Sequence, residues 1–377
     1  MTRASLLKSA ALLVSVAALT ACSVFGDSNA PKPSPLEAFT PELKVATVWN
    51  KSTDTVGFPL SVATPKGQFV LASGDGVVRA LAAQDGAELW RAELKQSLSA
   101  GVGSDGRFAA VVTRKNELTV LEQGQTKWSK TLVTPVVAAP LVAGERVFVL
   151  TVDRAVLAFD AQDGRKLWEL RRPGEPLTLK QAGVIAAYQN TLLVGQGARL
   201  TGVDPNRGSV QWEAAVANPR GTNEVERLAD LVAPHVRAGD VVCARSFQFA
   251  VGCVNAARGT PVWSRNVGGN QGIGGDAELV VGADASDRMT AWSTRNGDVV
   301  WTAQQFQHRK LGVPAVLDRA IVVGDAEGYV HFLSRDKGKT LQRITTDGSA
   351  IAAPPVVSGT TLLVVTRRGA LFAIRPQ

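Results

Sequence analysis

Few side chains in this sequence have the type and spacing that catalysis or metal binding requires. The three histidines, His235, His308 and His331, lie far apart along the chain, and none has the spacing of a metal-ligand pair. The sequence has no Gly-x-Ser-x-Gly nucleophile motif, no phosphate-binding P-loop and no Cys-x-x-Cys-His haem site. Carboxylates such as Asp85 and Asp163 fall in Asp-Gly turns, where Asp is favoured for backbone reasons. We therefore expect no catalytic residue, no metal site and no cofactor.

Two of the three cysteines, Cys243 and Cys253, lie in the segment VVCARSFQFAVGCV, which predicts a hairpin centred near Gln248. At equal distances from that centre, the two side chains face each other across the strands, close enough for a disulfide. In an exported protein the sequence favours a structural disulfide between them, with two free buried thiols as the alternative.

The third cysteine, Cys22, predicts a lipid anchor. A charged start with Arg3 and Lys8 precedes a short apolar core over residues 10–19, which is too short to span a bilayer. The core ends in Leu-Thr-Ala-Cys, which resembles the bacterial lipobox. We expect residues 1–21 to be a signal peptide and Cys22 to be the first mature residue and the site of lipidation, with acyl chains such as palmitate.

The residues that follow the cysteine predict where the protein is held. Ser23 rather than Asp follows Cys22, which by the lipoprotein sorting rule implies the outer membrane, with the folded part facing the periplasm. The stretch over residues 28–41, SNAPKPSPLEAFTP, is rich in Pro and Ser, so we expect residues 22–41 to form a flexible tether. The folded domain should then occupy residues 42–377.

Charge gives no sign of a nucleic-acid partner. The formal net charge is +8, but the Lys and Arg residues are scattered and form no run of five or six like charges. This distribution favours an ordinary solvated surface over a basic binding patch.

A repeat of about 40 residues organises the rest of the chain. Gly-x-x-x-Trp recurs six times, and the successive Trp residues are 38 to 51 residues apart. The members are Gly86/Trp90, Gly124/Trp128, Gly164/Trp168, Gly208/Trp212, Gly259/Trp263 and Gly297/Trp301. A seventh copy has Gly338 but Gln342 in place of Trp, and an eighth begins at Gly369 and stops short. Strand-like alternation and tight-turn residues within each copy are typical of one four-stranded propeller blade.

Trp49, near the start of the mature chain, supplies the end that the eighth copy lacks. We therefore predict an all-β fold, an eight-bladed β-propeller with four-stranded antiparallel blades. The N-terminal strand Val45–Trp49 should close the ring, which removes two exposed sheet edges. The repeated Trp residues should pack between blades rather than bind a ligand.

The repeats resemble the quinoprotein propeller family. Within it, the whole chain is similar to the propeller lipoproteins of the outer-membrane β-barrel assembly machinery, the BAM complex. Three stretches carry this closer resemblance: residues 322–331 (VVGDAEGYVH), residues 224–230 (EVERLAD) and residues 177–180 (LTLK). The resemblance implies a non-enzymatic scaffold that assists the folding and insertion of outer-membrane proteins.

The same resemblance implies a partner and a binding surface. The partner would be a BamA-like assembly protein, bound through its POTRA domains, with unfolded outer-membrane protein precursors as further partners. The expected contact residues are Leu177, Leu179, Lys180, Glu226, Arg227 and Asp230. The repeat spacing points to the same region, because the longest interval, from Trp212 to Trp263, places its extra residues in a loop over 217–231.

Two other functions compete with the scaffold. One is a dehydrogenase that uses pyrroloquinoline quinone, since such enzymes share the Trp repeats. These enzymes also need calcium ligands and an Asp base in the central funnel, and they commonly have two adjacent Cys residues. This sequence has no vicinal Cys pair. The other is an exported sensor or binding propeller.

Overall fold

The chain forms β-strands and turns throughout the part that the structure describes. The computed structural model describes residues 31–172 and 177–377, and in these residues it contains 31 strands and no helix. Accordingly, no helix of the described residues is long and apolar enough to cross a membrane.

The strands group into eight antiparallel sheets, one for each predicted blade. The first strand, β1, is Val45–Ser52. Blades one to four comprise β2 (Gln68–Ala72), β3 (Val77–Ala82), β4 (Glu88–Glu93), β5 (Leu98–Ser104), β6 (Phe108–Thr113), β7 (Glu117–Glu122), β8 (Gln125–Thr131), β9 (Leu141–Ala143), β10 (Arg146–Leu150), β11 (Val156–Asp160), β12 (Lys166–Leu170), β13 (Ile185–Tyr188), β14 (Thr191–Gln196), β15 (Arg199–Val203) and β16 (Val210–Ala215). Blades five to eight comprise β17 (Leu231–Ala238), β18 (Val241–Ser246), β19 (Ala250–Asn255), β20 (Thr260–Arg265), β21 (Gly274–Gly275), β22 (Leu279–Ala283), β23 (Met289–Ser293), β24 (Val299–Ala303), β25 (Ala315–Leu317), β26 (Ala320–Gly324), β27 (Tyr329–Ser334), β28 (Thr340–Thr345), β29 (Val356–Ser358), β30 (Thr361–Val365) and β31 (Ala370–Pro376).

Blades one to seven run from an inner strand to an outer one in chain order, whereas the outer strand of the eighth blade is β1. The first strands of neighbouring blades contact each other, as β5 does with β9 and β21 with β25, so they line the axis of the ring. In the first blade the innermost position is held by a single residue, Ala63, which pairs antiparallel with Val70. The middle strands are buried on both faces, and they therefore read as continuous apolar runs such as Ala-Ile-Val-Val in β26.

The N-terminal strand closes the ring, as predicted. Strand β1 pairs antiparallel with β31, in a register that runs from Val45 opposite Pro376 to Ser52 opposite Ala370. The last blade thus contains three strands from the end of the chain and one from its beginning. The eight-bladed fold inferred from the repeat is confirmed.

Six of the seven Trp residues that end a repeat pack their ring on the glycine of the following blade, and Trp90 is the exception. At Gly164, φ is +72° and a Cβ atom would lie 2.6 Å from the ring of Trp128. Gly208 stands in the same relation to Trp168. Only glycine both adopts this backbone conformation without strain and leaves room for the indole. Five of the indoles also donate a hydrogen bond from Nε1 to a backbone oxygen of that blade: Trp49 to Ala83 (3.2 Å), Trp128 to Ala161 (2.9 Å), Trp168 to Pro205 (3.0 Å), Trp263 to Thr294 (2.9 Å) and Trp301 to Arg335 (2.7 Å).

The closure also explains the copy that has Gln342 instead of Trp. In the other blades the indole packs on the turn between the third and fourth strands of the next blade, but the eighth blade has no such turn, because its last two strands are the two ends of the folded chain. Gln342 instead donates from Nε2 to the backbone oxygen of Leu43, 3.1 Å away, where the chain enters β1.

The last part of the segment predicted as a tether contacts the propeller. The Ser34 amide donates to the Gln307 oxygen (2.9 Å), and Arg309 donates to the Ser34 oxygen (3.0 Å). Arg343 donates to the Glu37 oxygen (3.2 Å) and its guanidinium lies over the Phe39 ring. From Ser34 onward the described chain is therefore held against the seventh blade by backbone hydrogen bonds and two arginines.

The hairpin of β18 and β19 places the two cysteines directly opposite each other. Cys243 pairs with Cys253 in the strand register, and the two are joined by a disulfide. Both side chains are buried among apolar residues between blades five and six, which include Trp292.

Candidate partner-binding face

The hairpin between the second and third strands of each blade emerges at the same end as the connection to the next blade. This follows from antiparallel order, because every second turn lies at the same end of a sheet. We call this end of the ring the loop face. Its segments of interest are the hairpin Thr151–Ala155 of blade three and the inter-blade connections over residues 171–184 and 216–230, of which residues 173–176 lie outside the description.

Asp230 holds three segments of the loop face together. Its carboxylate forms a two-point ion pair with Arg154, with Nε to Oδ1 at 2.7 Å and Nη2 to Oδ2 at 3.1 Å. The Leu179 amide donates to the same Oδ2 at 3.2 Å. Both charged side chains are largely buried, at 17% and 15% exposed. A bidentate, charge-assisted geometry of this kind fixes orientation as well as distance.

Arg154 extends this arrangement to the loop that carries Leu177. Its Nη2 also donates to the Leu177 backbone oxygen at 3.0 Å, and its own backbone oxygen accepts a bond from Gln196 Nε2 at 3.1 Å. One Arg and one Asp from different blades therefore hold the backbone at Leu177 and Leu179. We call this set of contacts the Arg154–Asp230 clamp.

The two leucines of this loop have different surroundings. Leu177 is exposed, at 36% of its surface. Leu179 is half-buried and, with Leu150, Val152 and Leu231, lines a small cavity of about 30 Å³. Of the two leucines, Leu177 therefore presents its side chain to solvent, whereas Leu179 packs beneath the loop. Lys180 is exposed and forms no ion pair with any residue in the described ranges.

Glu226 and Arg227 order their own loop. Glu226 accepts bonds from the Thr222 amide (2.7 Å), the Thr222 hydroxyl (3.0 Å) and the Asn223 amide group (2.9 Å). These bonds, first those from Thr222, hold the pKa of Glu226 below its ordinary value. Arg227 donates to the Gly221 oxygen at 3.3 Å. Residues 222–226 of this loop are exposed, and the large apolar side chain among them is Val225, at 71% exposed.

Two contributors to this face were not predicted from the sequence. Arg154 is 76 residues from Asp230 and lies in an ordinary hairpin, so no local signal marks it. Val225 is a single apolar residue in a polar loop, and its exposure depends on the fold of that loop.

A groove of about 640 Å³ beside the clamp is rich in arginine. Its charged lining residues are four cations and two anions: Arg154, Arg172, Arg199, Arg227, Asp153 and Glu213. Glu213 pairs with Arg172 and with Arg199, the latter at 3.4 Å. With Asp230 paired to Arg154, these four arginines are accompanied by three carboxylates, and the small positive excess favours an acidic surface on whatever lies against this groove.

The motif over residues 322–331 lies in blade seven and is buried. Asp325 accepts bonds from Arg309 Nε (2.8 Å) and from His331 Nε2 (3.1 Å), and both Asp325 and His331 are fully enclosed. Burial raises the pKa of Asp325, but the bonds from His331, the Tyr329 backbone and Arg309 outweigh it and lower the pKa overall. This motif packs the blade. No three His, Cys, Asp or Glu side chains of the described residues are grouped as a metal would require.

Comparison of the chain with known proteins identifies its family. The family model described as "Outer membrane protein assembly factor BamB" matches residues 74–303, a range that contains the clamp and both loops. The chain belongs to the BamB family. Among curated BamB proteins, that of Burkholderia pseudomallei is 37% identical over 97% of both chains, and that of Bordetella pertussis is 34% identical over 98% of this chain and 97% of its own.

The BamB fold is shared as well. The crystal structure of BamB from Moraxella catarrhalis matches 88% of this chain and 100% of that one, with a TM-score of 0.79 and 21% sequence identity. The curated BamB relatives are named outer membrane protein assembly factors, which agrees with the function class that the sequence implied.

Proposed function

We propose that this chain is a non-enzymatic scaffold of the outer-membrane β-barrel assembly machinery. It binds the POTRA domains of a BamA-like protein through the loop face and so assists the folding and insertion of outer-membrane proteins. It acts at the periplasmic side of the outer membrane, held there by lipid on Cys22. Cys22 and the signal peptide over residues 1–21 lie outside the described residues, so the anchor rests on the lipobox sequence and on membership of the BamB family.

The Arg154–Asp230 clamp is the observation that carries the proposal. It fixes the backbone of a loop that leaves Leu177 exposed. An exposed apolar side chain on a fixed loop binds a partner without the entropic cost of ordering the loop. An ion pair that is mostly withdrawn from water contributes little net stability, so it is better explained by the conformation that it imposes.

The residues of the face take different roles in this proposal. Leu177 is the apolar anchor, and Lys180 is a charge at its edge. Asp230 and Leu179 position the loop from below. Glu226 and Arg227 order the neighbouring loop, whose exposed Val225 enlarges the apolar contact, while the arginine-rich groove attracts an acidic surface of the partner.

The dehydrogenase alternative finds no supporting observation in the described residues. The cavity on the ring axis has eighteen lining residues, and none of them is Asp or Glu. A calcium-dependent quinone site in that position would need carboxylate ligands.

Purification from outer membranes in mild detergent tests the proposal. The comparison needs the wild-type chain, Leu177→Ala, Cys22→Ser, and Leu89→Ala as a control. Leu89 is 49% exposed but lies on the outer strand β4 of blade one, away from the loop face. The wild type and Leu89→Ala should co-purify with the BamA-like protein. Leu177→Ala should stay in the membrane fraction with binding to isolated POTRA domains weakened about thirtyfold or more, since loss of one hot spot costs about 2 kcal/mol or more.

Cys22→Ser should separate the two parts of the proposal. It should lose fatty-acid label and leave the membrane while the purified propeller still binds POTRA domains. A Leu177→Ala protein that folds and binds like Leu89→Ala would refute the assigned surface, and a wild-type protein that takes up no fatty acid would refute the anchor.

A further inference from the structure

A cavity lies on the ring axis and opens on the loop face. Its walls come from seven of the eight blades, at the points where the inner strands begin, for example Leu60 in blade one, Ile185 in blade four and Val313 in blade seven. Inner strands begin at the loop-face end of each blade, so the opening lies at that end. The volume is about 470 Å³, within the range of about 300–1,000 Å³ that small-molecule sites occupy.

The walls of this cavity are apolar, and its polar groups are few. Leu60, Val62 and Val313 are buried residues that line it. The polar lining consists of Ser61, Lys180, Gln181, His235 and Gln271. Gln181 is engaged with the Asn270 backbone oxygen at 2.8 Å. A site of this kind, mostly apolar with a small number of polar groups, is typical of a binding pocket for an organic molecule.

Lys180 is the single Lys, Arg, Asp or Glu in the lining of the cavity. Lys180 is exposed at the mouth, without an ion pair to any described residue, and the lining contains no carboxylate. His235 lines the wall and forms no hydrogen bond within the described part of the chain. Burial first, and the charge of Arg237 second, lower the pKa of His235 to about 4, so the imidazole is uncharged at neutral pH and can hydrogen-bond a ligand. An apolar interior with a single cation at its entrance complements a molecule with an apolar body and one negative charge.

We propose that the axial cavity binds a small organic monoanion whose apolar body fills the cavity and whose charged group lies beside Lys180. His235 hydrogen-bonds the ligand within the cavity. This site shares Lys180 with the proposed POTRA-binding rim but otherwise uses the walls of the cavity, so a variant inside the cavity, such as Ala352→Phe, separates the two functions.

Isothermal titration of the whole mature chain with two matched probes tests the site. The probes are 4-phenylbutyrate and 4-phenyl-1-butanol at pH 7.5, which share an apolar body and differ in charge. The wild type should bind one molecule of each, and the carboxylate at least fivefold more tightly. Lys180→Glu should weaken the carboxylate at least tenfold and leave the alcohol within twofold. Lys115→Glu is the matched control, since Lys115 is an exposed residue in a hairpin of the same face that does not line the cavity.

A second variant tests the interior independently of charge. Ala352 lines the cavity and is only partly buried, so Ala352→Phe should fill space and weaken both probes at least tenfold with melting close to that of the wild type. If this variant does not fold, the comparison of Lys180→Glu with Lys115→Glu still tests whether the cavity binds the anion. The proposal is overturned if the wild type shows no saturable binding, if it binds the two probes equally, or if the two lysine variants behave alike. POTRA binding measured on the wild type and on Ala352→Phe shows separately whether the scaffold function stands, because Lys180→Glu also changes the proposed POTRA-binding rim.

Discussion

At the scale of single residues, the main property of the loop face is that one carboxylate accepts hydrogen bonds from two other segments of the chain. Asp230 accepts from Arg154 and from the Leu179 amide, and Arg154 reaches the Leu177 backbone. Removing Arg154 would leave the Asp230 carboxylate largely buried without its charged partner, which costs more than losing an exposed pair would. The backbone of the loop therefore depends on two side chains that are 76 residues apart in the sequence.

His235 gives a prediction at this scale. Its pKa is lowered from 6.5 to about 4 by burial and by Arg237, so the unfolded chain binds more protons than the folded one between these values. Stability from this group is complete above about pH 6.5 and is lost as the pH falls toward 4. Between pH 7.5 and pH 5.0 the wild type should lose about 2 kcal/mol more than His235→Gln.

Urea unfolding of both proteins at the two pH values measures that difference. His331 also has a lowered pKa, because burial outweighs its bond to Asp325, but it is present in both proteins and its effect cancels. Equal pH dependence of the wild type and His235→Gln would show that His235 is not held uncharged by the fold.

At the scale of structural elements, the blades are joined by Trp and Gly in pairs. Except for Trp90, the indole of each repeat extends from the outer strand of one blade onto the turn of the next, where a glycine leaves room for the ring. The hydrogen bonds from Nε1 to a backbone oxygen fix the orientation of the ring as well as its position. Within the sequence, Gly and Trp belong to the same repeat, but the Trp packs on the glycine of the following repeat. Because this contact recurs from blade to blade, Gly and Trp recur at a fixed spacing.

Two alanine substitutions separate backbone strain from this packing. Gly164 and Gly348 have nearly the same φ, +72° and +75°, but a Cβ atom at Gly348 would have nothing within 4 Å, whereas at Gly164 it would meet the ring of Trp128. Gly348→Ala should cost about 1 kcal/mol for the left-handed conformation. Gly164→Ala should cost about 1–3 kcal/mol more, since the indole must move. Denaturant unfolding measures both, and equal costs would contradict the packing of Trp128 on this turn.

At the scale of the whole molecule, the ring is closed by residues from both ends of the folded chain. Strand β1 covers the edge of β31 and brings Trp49 to the turn of blade one. A closed ring leaves no unpaired edge between its first and last blades. The segment from Ser34 to Phe39 adds contacts with blade seven, so the described chain meets the propeller before the closing strand begins.

Deleting residues 42–50 should therefore be far more damaging than deleting residues 23–33. The first deletion removes most of β1 and Trp49. Loss of one large buried aromatic side chain alone costs about 3–5 kcal/mol, out of a typical total of about 5–15 kcal/mol. It should aggregate or melt much earlier, whereas the second deletion, which ends before the contacts of Ser34, should melt like the wild type. Thermal melting by circular dichroism decides, and similar melting temperatures for the two would contradict closure through β1.

The sequence by itself determined the fold. Gly and Trp at fixed intervals, tight-turn residues and short apolar runs are local signals, and they repeat often enough that their period identifies a blade and their number identifies the ring. The closure of the ring could also be predicted. The eighth copy of the repeat ends before its Trp, and Trp49 stands near the start of the folded chain without the earlier part of a repeat. The exception at Gln342 was visible in the sequence, but its reason appeared only when the two chain ends met.

Tertiary structure alone decided how the candidate site is built. The clamp joins residues 76 apart, and the axial cavity collects side chains from seven blades, so no local pattern could indicate either. The two leucines at 177 and 179 look equivalent in the sequence, yet one is exposed and the other lines a cavity. The physical reason is that strand and turn formation depend on neighbours along the chain, whereas burial, charge pairing and cavity shape depend on neighbours in space.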